Sequence, residues 1–287
     1  MTALLLIISV SSTILNNSLM NYAGKRKLKT AGDVSRFNFL AYIVCTVIFA
    51  IMTIAQGRYS FFSLWFGMLF GIVTALNAAC CMLALKNGPM HITLLVTTSS
   101  MLIPTFYDVV SGEAPFSWAK FLCTILLIFF IYLSFSEGRD KKSKVNGKWL
   151  LYCGAAFVLG GLVGVMQKLH QTTAHKDETS LLLAASFVFA MAFSYLTSKR
   201  QVKEAHFDKR LIVITLVSGV CVFTMNFLNL RLSGLLPSQL FFPLVNGSSV
   251  VACSVLAVTV FREPLSRRKL IGLIGGLAAL ILICVLS

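Results

Sequence analysis

The residues of this chain with the most chemical capacity are amides and hydroxyls set inside long apolar runs. Ser9, Thr13, Asn16 and Asn17 share one run, and Thr74 and Asn77 share another. Thr93, Thr97, Ser100 and Tyr107 recur at helical steps, with Asp108 beside the last. Gln167 and Lys168 close a later run, Asn226 and Asn229 share the run at 211–231, and Asn246 precedes Ser248 and Ser249. Steps of three and four residues place side chains on one helix face. In hydrocarbon a polar side chain costs free energy unless it finds a partner or meets water. A single Ser or Thr meets that need by bonding back to its own helix or to a neighbouring one. The central asparagines are harder to account for in that way. The expectation is one shared polar cavity near the membrane midplane that binds a small molecule. Its expected substrate-binding residues are Asn16, Asn17, Asn77, Thr97, Ser100, Tyr107, Gln167, Asn226, Asn229, Asn246 and Ser249.

Other chemistries find little support. None of the ten acidic residues lies in the middle of an apolar run, Asp108 coming nearest. A deep charge costs about 2.5–3.5 kcal/mol on insertion scales and is kept for function. Its absence argues against a buried carboxylate that binds lipophilic cations and protons, and leaves no obvious proton relay. His91, near the start of its run, is the nearest candidate and reads as structural. Lys86 and Arg231 end their runs, either snorkelling to the interface or meeting an anionic substrate group. The eight cysteines all sit in apolar runs, where they act as small hydrophobes. Cys80 and Cys81 have no metal or redox spacing, and no metal or cofactor is expected. GxSxG, Walker and HExxH motifs are absent, so no enzyme is expected. The net charge of +15 sits in short connections, which excludes a soluble basic surface for nucleic acid.

The elements that must position these residues are membrane helices. Of 287 residues 57% are hydrophobic and 12% charged, with a mean hydropathy of +0.84. A soluble domain carries about 25% charged residues. Apolar runs long enough to cross a bilayer predict ten spans at 2–22, 37–56, 60–86, 89–110, 117–135, 149–169, 179–198, 211–231, 237–260 and 266–286. The first has no basic start and reads as a retained helix rather than a signal peptide. Trp118 and Trp149 fall at run ends, where interfacial aromatics belong. Pro104 and Pro243 are expected to kink their helices. The Gly67/Gly71, Gly160/Gly164 and Gly272/Gly276 pairs allow close helix approach, read as packing within the chain. Connections 1–2, 3–4, 5–6, 7–8 and 9–10 hold 20 of the 25 Lys and Arg residues. The positive-inside rule puts those connections in the cytoplasm and both termini outside.

The hydrophilic stretch 136–148 divides the chain into equal halves, 1–135 and 149–287, and acts as a basic linker. An offset of 149 aligns 88–133 with 237–282 without gaps, matching Ser99, Ser100, Pro115, Ser117 and Lys120 to Ser248, Ser249, Pro264, Ser266 and Lys269. Asn77 falls on Asn226 at the same offset. Apolar composition does not explain matches at polar and proline positions. Two homologous halves of five helices each enter the membrane in opposite senses, the inverted repeat of many secondary transporters. The fold class expected is an all-α membrane protein of ten transmembrane helices around a central cavity.

Each half ends in a helix, a Pro-bearing turn and a further helix: Gly112 to Lys120 (GEAPFSWAK) and Arg262 to Gly272 (REPLSRRKLIG). The second, with Ile271 and Gly272 opening the last helix, and Gly164 to Lys168 (GVMQK) in the sixth, resemble the pattern of EamA-type transporters of the drug/metabolite transporter superfamily. The resemblance covers essentially the whole chain. The first half departs from it, with Leu122 and Cys123 in place of the Ile-Gly, and the charge bias departs from the family's habit of keeping both termini inside. The resemblance implies a basket of helices, alternating access, and export or exchange of small metabolites. The function expected is a secondary transporter of a small polar metabolite, neutral or zwitterionic, in a bacterial cytoplasmic membrane. The alternatives are a non-transporting sensor or scaffold and a flippase of a lipid-linked head group. Its partners are the substrate and the lipid bilayer, with no nucleic acid, and the chain is a monomer or weak dimer.

Overall fold

A computed structural model describes residues 2–28, 30–111, 147–199, 208–235 and 267–285, with further positions between 117 and 130 and between 245 and 260. Every regular element among them is helical: α1 (Thr2–Arg26), α2 (Ala31–Gln56), α3 (Phe61–Asn87), α4 (Met90–Thr98), α5 (Leu102–Val110), α6 (Gly147–Thr172), α7 (Thr179–Lys199), α8 (Lys209–Leu235) and α9 (Arg267–Val285). The described positions of the expected fifth and ninth spans are helical as well, apart from Ser117 and Val260 at their ends. Six of the helices, α1–α3 and α6–α8, are long and apolar enough to cross a membrane. Large apolar side chains such as Ile7, Ile54, Phe61 and Val213 point outward from them. That belt suits lipid and would be a liability in water. The chain is a multi-pass integral membrane protein.

Local chemistry sets the helix ends. α2 begins six residues before the expected span because Thr30 and Asp33 form a capping box, each side chain bonding the other's backbone N–H. Asp33 and Arg36 interrupt the apolar run without interrupting the helix. α2 ends at Gly57, whose φ of 63° is the left-handed conformation that glycine adopts without strain. The fourth span is broken as expected. A 3-10 turn at Ser99–Met101 separates α4 from α5, one turn before Pro104, which lacks the N–H and whose ring crowds the carbonyl four residues back.

The main helix pairs are α2 with α7, α3 with α7, α2 with α8, α1 with α8, and α3 with α6. Without a hydrophobic drive between helices in lipid, small residues and van der Waals contact hold such pairs. A Cβ on Gly71 would sit 2.1 Å from the Ser186 carbonyl oxygen, and one on Gly67 2.7 Å from that of Leu182. Gly219 meets the Ala41 carbonyl of α2 in the same way, at 2.7 Å. Gly160, Gly161 and Gly164 admit Ser100, Ile103 and Pro104, seating the broken α4–α5 helix on α6. The Gly67/Gly71 and Gly160/Gly164 pairs thus serve packing within the chain. An aromatic stack of Phe49 on Phe187, with Tyr42 and Phe223 against it, fills the centre between α2, α7 and α8.

Trp149 corrects one expectation. Trp118 is exposed, as an interfacial residue would be, but Trp149 is buried. Its ring covers Gly88, and its Nε1–H donates to Thr93 Oγ1 at 3.0 Å. It locks the α3–α4 turn to α6.

Candidate functional site

A cavity of about 260 Å³ lies between α1, α2, α3, α4, α6 and α8 and is completed by Val245 and Ser249. Of the expected residues, Asn16, Asn17, Asn77, Thr97, Ser100, Gln167, Asn226, Asn229 and Ser249 line it. Tyr107 does not: it lies on α5 beyond the 3-10 turn and Pro104, which take the helix out of register with the α4 stripe. Asn246 and Pro243 lie outside the described residues, as do the side chains of His91 and Asp108 and most of the two Pro-bearing turns. Pro104 borders the cavity, while Lys86 and Arg231 do not line it. The Arg231 guanidinium lies over the Phe227 ring at 4.9 Å.

Part of the polar wall is occupied by the protein itself. Ser9 Oγ donates to Asn229 Oδ1 at 2.5 Å, and Ser218 Oγ donates to Asn16 Oδ1 at 2.6 Å. These two bonds lace α1 to an antiparallel α8. Asn226 bonds its own helix at the Val222 carbonyl, 2.8 Å away, and Thr98 bonds the Leu94 carbonyl at 2.6 Å. Asn77 Oδ1 accepts from the Cys81 thiol at 3.7 Å.

A second set of lining groups is different. Asn38 Nδ2, the Tyr42 hydroxyl and the Thr74 hydroxyl are buried and have no hydrogen-bond partner among the described residues, and all three residues line the cavity. Sequence reasoning named Thr74 but passed over Asn38 and Tyr42. α2 carries only this one amide inside its membrane portion, with no polar stripe to mark a face. Its signal is a spacing of four from Asn38 to Tyr42, which puts both on one face. Among the described lining residues there is no Asp, Glu, Lys, Arg or His. Nor do three His, Cys, Asp or Glu side chains among the described residues converge as a metal site requires. The arrangement can hydrogen-bond a small ligand from several sides. It offers no counter-charge for a ligand of net charge, which a low-dielectric site would need.

No family model matches the chain, and no curated protein matches it in sequence. Among solved structures 27 chains match. One of them, a crystal structure of a protein 12% identical in sequence, superposes with a TM-score of 0.68 over 99% of this chain and 99% of that one. At that identity the likeness establishes the fold over the full length of the chain and nothing finer.

Proposed function

We propose that the chain is a secondary transporter of a small, polar, net-neutral metabolite, built as two inverted five-helix repeats in the manner of the EamA-type family. The observation that carries this reading is an amide-rich cavity between the two proposed halves, with no charged side chain among its described lining residues. Its volume falls just under the roughly 300–1,000 Å³ of drug-sized sites, which points to a small metabolite. Asn38, Tyr42 and Thr74 supply unpaired hydrogen-bonding groups for it.

The packing supports the duplication. Exchanging the two halves turns the pair α1 with α8 into α6 with α3, and α3 with α7 into α8 with α2, while α2 with α7 maps onto itself. These are the five most extensive helix contacts among the described residues. The exchange also relates polar ties at the two ends. Lys27 in connection 1–2 pairs with Asp208 in connection 7–8 at 2.8 Å. Arg58 in connection 2–3 pairs with Asp177 in connection 6–7 at 3.2 Å. In alternating access these ties are the two gates, opened in turn.

The test is flux in proteoliposomes with a panel of labelled neutral amino acids, nucleosides and polyols. Carriage of one class supports the reading, and no flux for any of them by a folded protein refutes it. Asn77→Leu and Asn226→Leu should abolish flux and leave the fold intact; unchanged flux would remove those residues from the site.

A further inference from the structure

A second polar cluster lies at one end of the molecule, outside the cavity. It joins the start of α3, the end of α6 and the α6–α7 turn. Glu178 Oε2 accepts from the Ser60 hydroxyl and, at 2.5 Å, from the Ser63 hydroxyl. Its Oε1 lies 3.1 Å from His175 Nδ1, and the His175 ring stacks on Phe62. Ser63 Oγ also lies 3.4 Å from Nε2 of His170. His170 is fully buried beside Phe66, and its Nδ1 has no hydrogen-bond partner among the described residues.

A structural tie explains part of this. A carboxylate at the N-terminus of α3, where Ser60 is the cap, is favourable on its own. That accounts for Ser60 and Glu178. It leaves unexplained a buried imidazole reached through a second serine. The tautomer follows from the network. The one hydroxyl proton of Ser63 is committed to Glu178, so Ser63 Oγ accepts at His170, and the neutral ring carries its proton on Nε2. Nδ1 is then a bare lone pair.

We propose that His170 Nδ1 is a proton-binding site of the transport cycle, with Glu178 as its counter-charge through Ser63. The transport part of this inference rests on the function proposed above. The incoming proton forms one N–H bond with the Nδ1 lone pair, and no other bond breaks. The imidazolium keeps its Nε2–H on Ser63 and Ser63 keeps its hydroxyl on Glu178, so the added positive charge faces the Glu178 carboxylate, which His175 also contacts. Burial pushes the Glu178 carboxyl up, but hydrogen bonds from Ser60, Ser63 and His175 outweigh it and hold the carboxyl below the usual carboxylate range. Glu178 is therefore ionised wherever an imidazole titrates.

His170 lies three residues after Gln167, on the same face of α6, and Gln167 lines the cavity. Proton binding is thus placed one helical turn from the substrate wall. The other titratable and charged groups at this end are Arg58 paired with Asp177, Lys168 on α6, Lys176 in the turn, Tyr107 and Asp108 on α5, and Arg231 over Phe227.

The experiment uses the full chain in lipid nanodiscs with ¹⁵N-labelled histidine. The His170 signal, assigned by its loss in His170→Gln, should convert from the Nε2–H tautomer to the imidazolium on acidification. In Glu178→Gln and in Ser63→Ala the conversion should move to lower pH. A His170 that stays neutral throughout, or whose midpoint is the same in both variants, overturns the proton site. The second arm measures flux of the carried compound under an imposed pH gradient. His170→Gln should lose the response to the gradient; an unaltered response overturns the coupling. If the wild type carries nothing, the transport reading fails, and the nanodisc titration still decides the proton site.

Discussion

α2 and α7 are the second helices of the two proposed repeats, and they pack on each other, yet they carry different tasks. α7 is buried at every residue from Ser180 to Phe187, enclosed by α2 and α3 with glycines of α3 pressed against its carbonyls. α2 is buried along one stripe that includes Phe37, Asn38, Ala41, Tyr42, Cys45 and Phe49. It presents Asn38 and Tyr42 to the cavity, to which α7 contributes nothing. A stretch enclosed on all sides, as α7 is from Ser180 to Phe187, is constrained by volume. A helix with one face on a cavity is free to carry hydrogen-bonding groups. The two helices hold equivalent places in the proposed repeats, and the asymmetry of their surroundings sets one in the packed interior and the other on the cavity.

The contrast is broken most severely at Gly71. Gly71→Leu forces a side chain into the Ser186 carbonyl and should cost about 4 kcal/mol or more, within the range of severe overpacking. The control is Gly154→Leu, where a Cβ meets nothing within 4 Å and the change should stay within about 0.5 kcal/mol. Thermal melting of the purified protein separates the two, and equal melting points would contradict the close packing on α7.

On the α2 side, Tyr42→Phe removes one hydroxyl and keeps the ring against Phe187. Flux should fall by about tenfold, the equivalent of one hydrogen bond of ~1.4 kcal/mol, while melting stays put. If melting falls instead and flux holds, the hydroxyl belongs to the core and not to the site.

Acid sharpens the comparison at the helix starts. α2 is capped by its own Thr30 and Asp33, whereas Glu178, just before α7, gives its carboxylate to α3. The Glu178 carboxyl is held below its ordinary value, so its stabilisation is fully present above the unfolded-state pKa and is lost as pH falls through the lower folded-state value. Melting points measured down an acid series should drop on that limb in the wild type and lose that drop in Glu178→Gln. The smallest effect is expected at Asp208→Asn. The Lys27 partner at 2.8 Å is solvent-accessible, and exposed pairs contribute little, so melting should be unaltered within error.

Much of this architecture is legible in the residue string. Runs of apolar residues show where α1–α3 and α6–α8 lie, because a helix that hides its backbone groups from lipid needs that length. Even the early start of α2 is written in Thr30 and Asp33, although a count of apolar residues passes over it. The asparagines are legible as a group for the same reason: an amide inside an apolar run demands a partner. Asn16 and Asn226 answer that demand within the protein. Asn38 does not, and nothing in a one-dimensional reading distinguishes it from them. Tyr107 misleads because the 3-10 turn and Pro104 intervene between it and the stripe it belongs to by spacing.

What the sequence determined by itself is the class of molecule: helices in a membrane, with polar groups too many and too regular for lipid. The tertiary structure decided which of those groups face one cavity and which bind one another. It decided that Trp149 is a buried lock and that Ser63, His170 and Glu178 meet, 107 and 115 residues apart in the chain. Apolar patterning is a property of neighbours three and four residues apart. A hydrogen-bonded site is a property of distant segments, fixed only when glycines such as Gly71 and Gly160 let the helices close on one another.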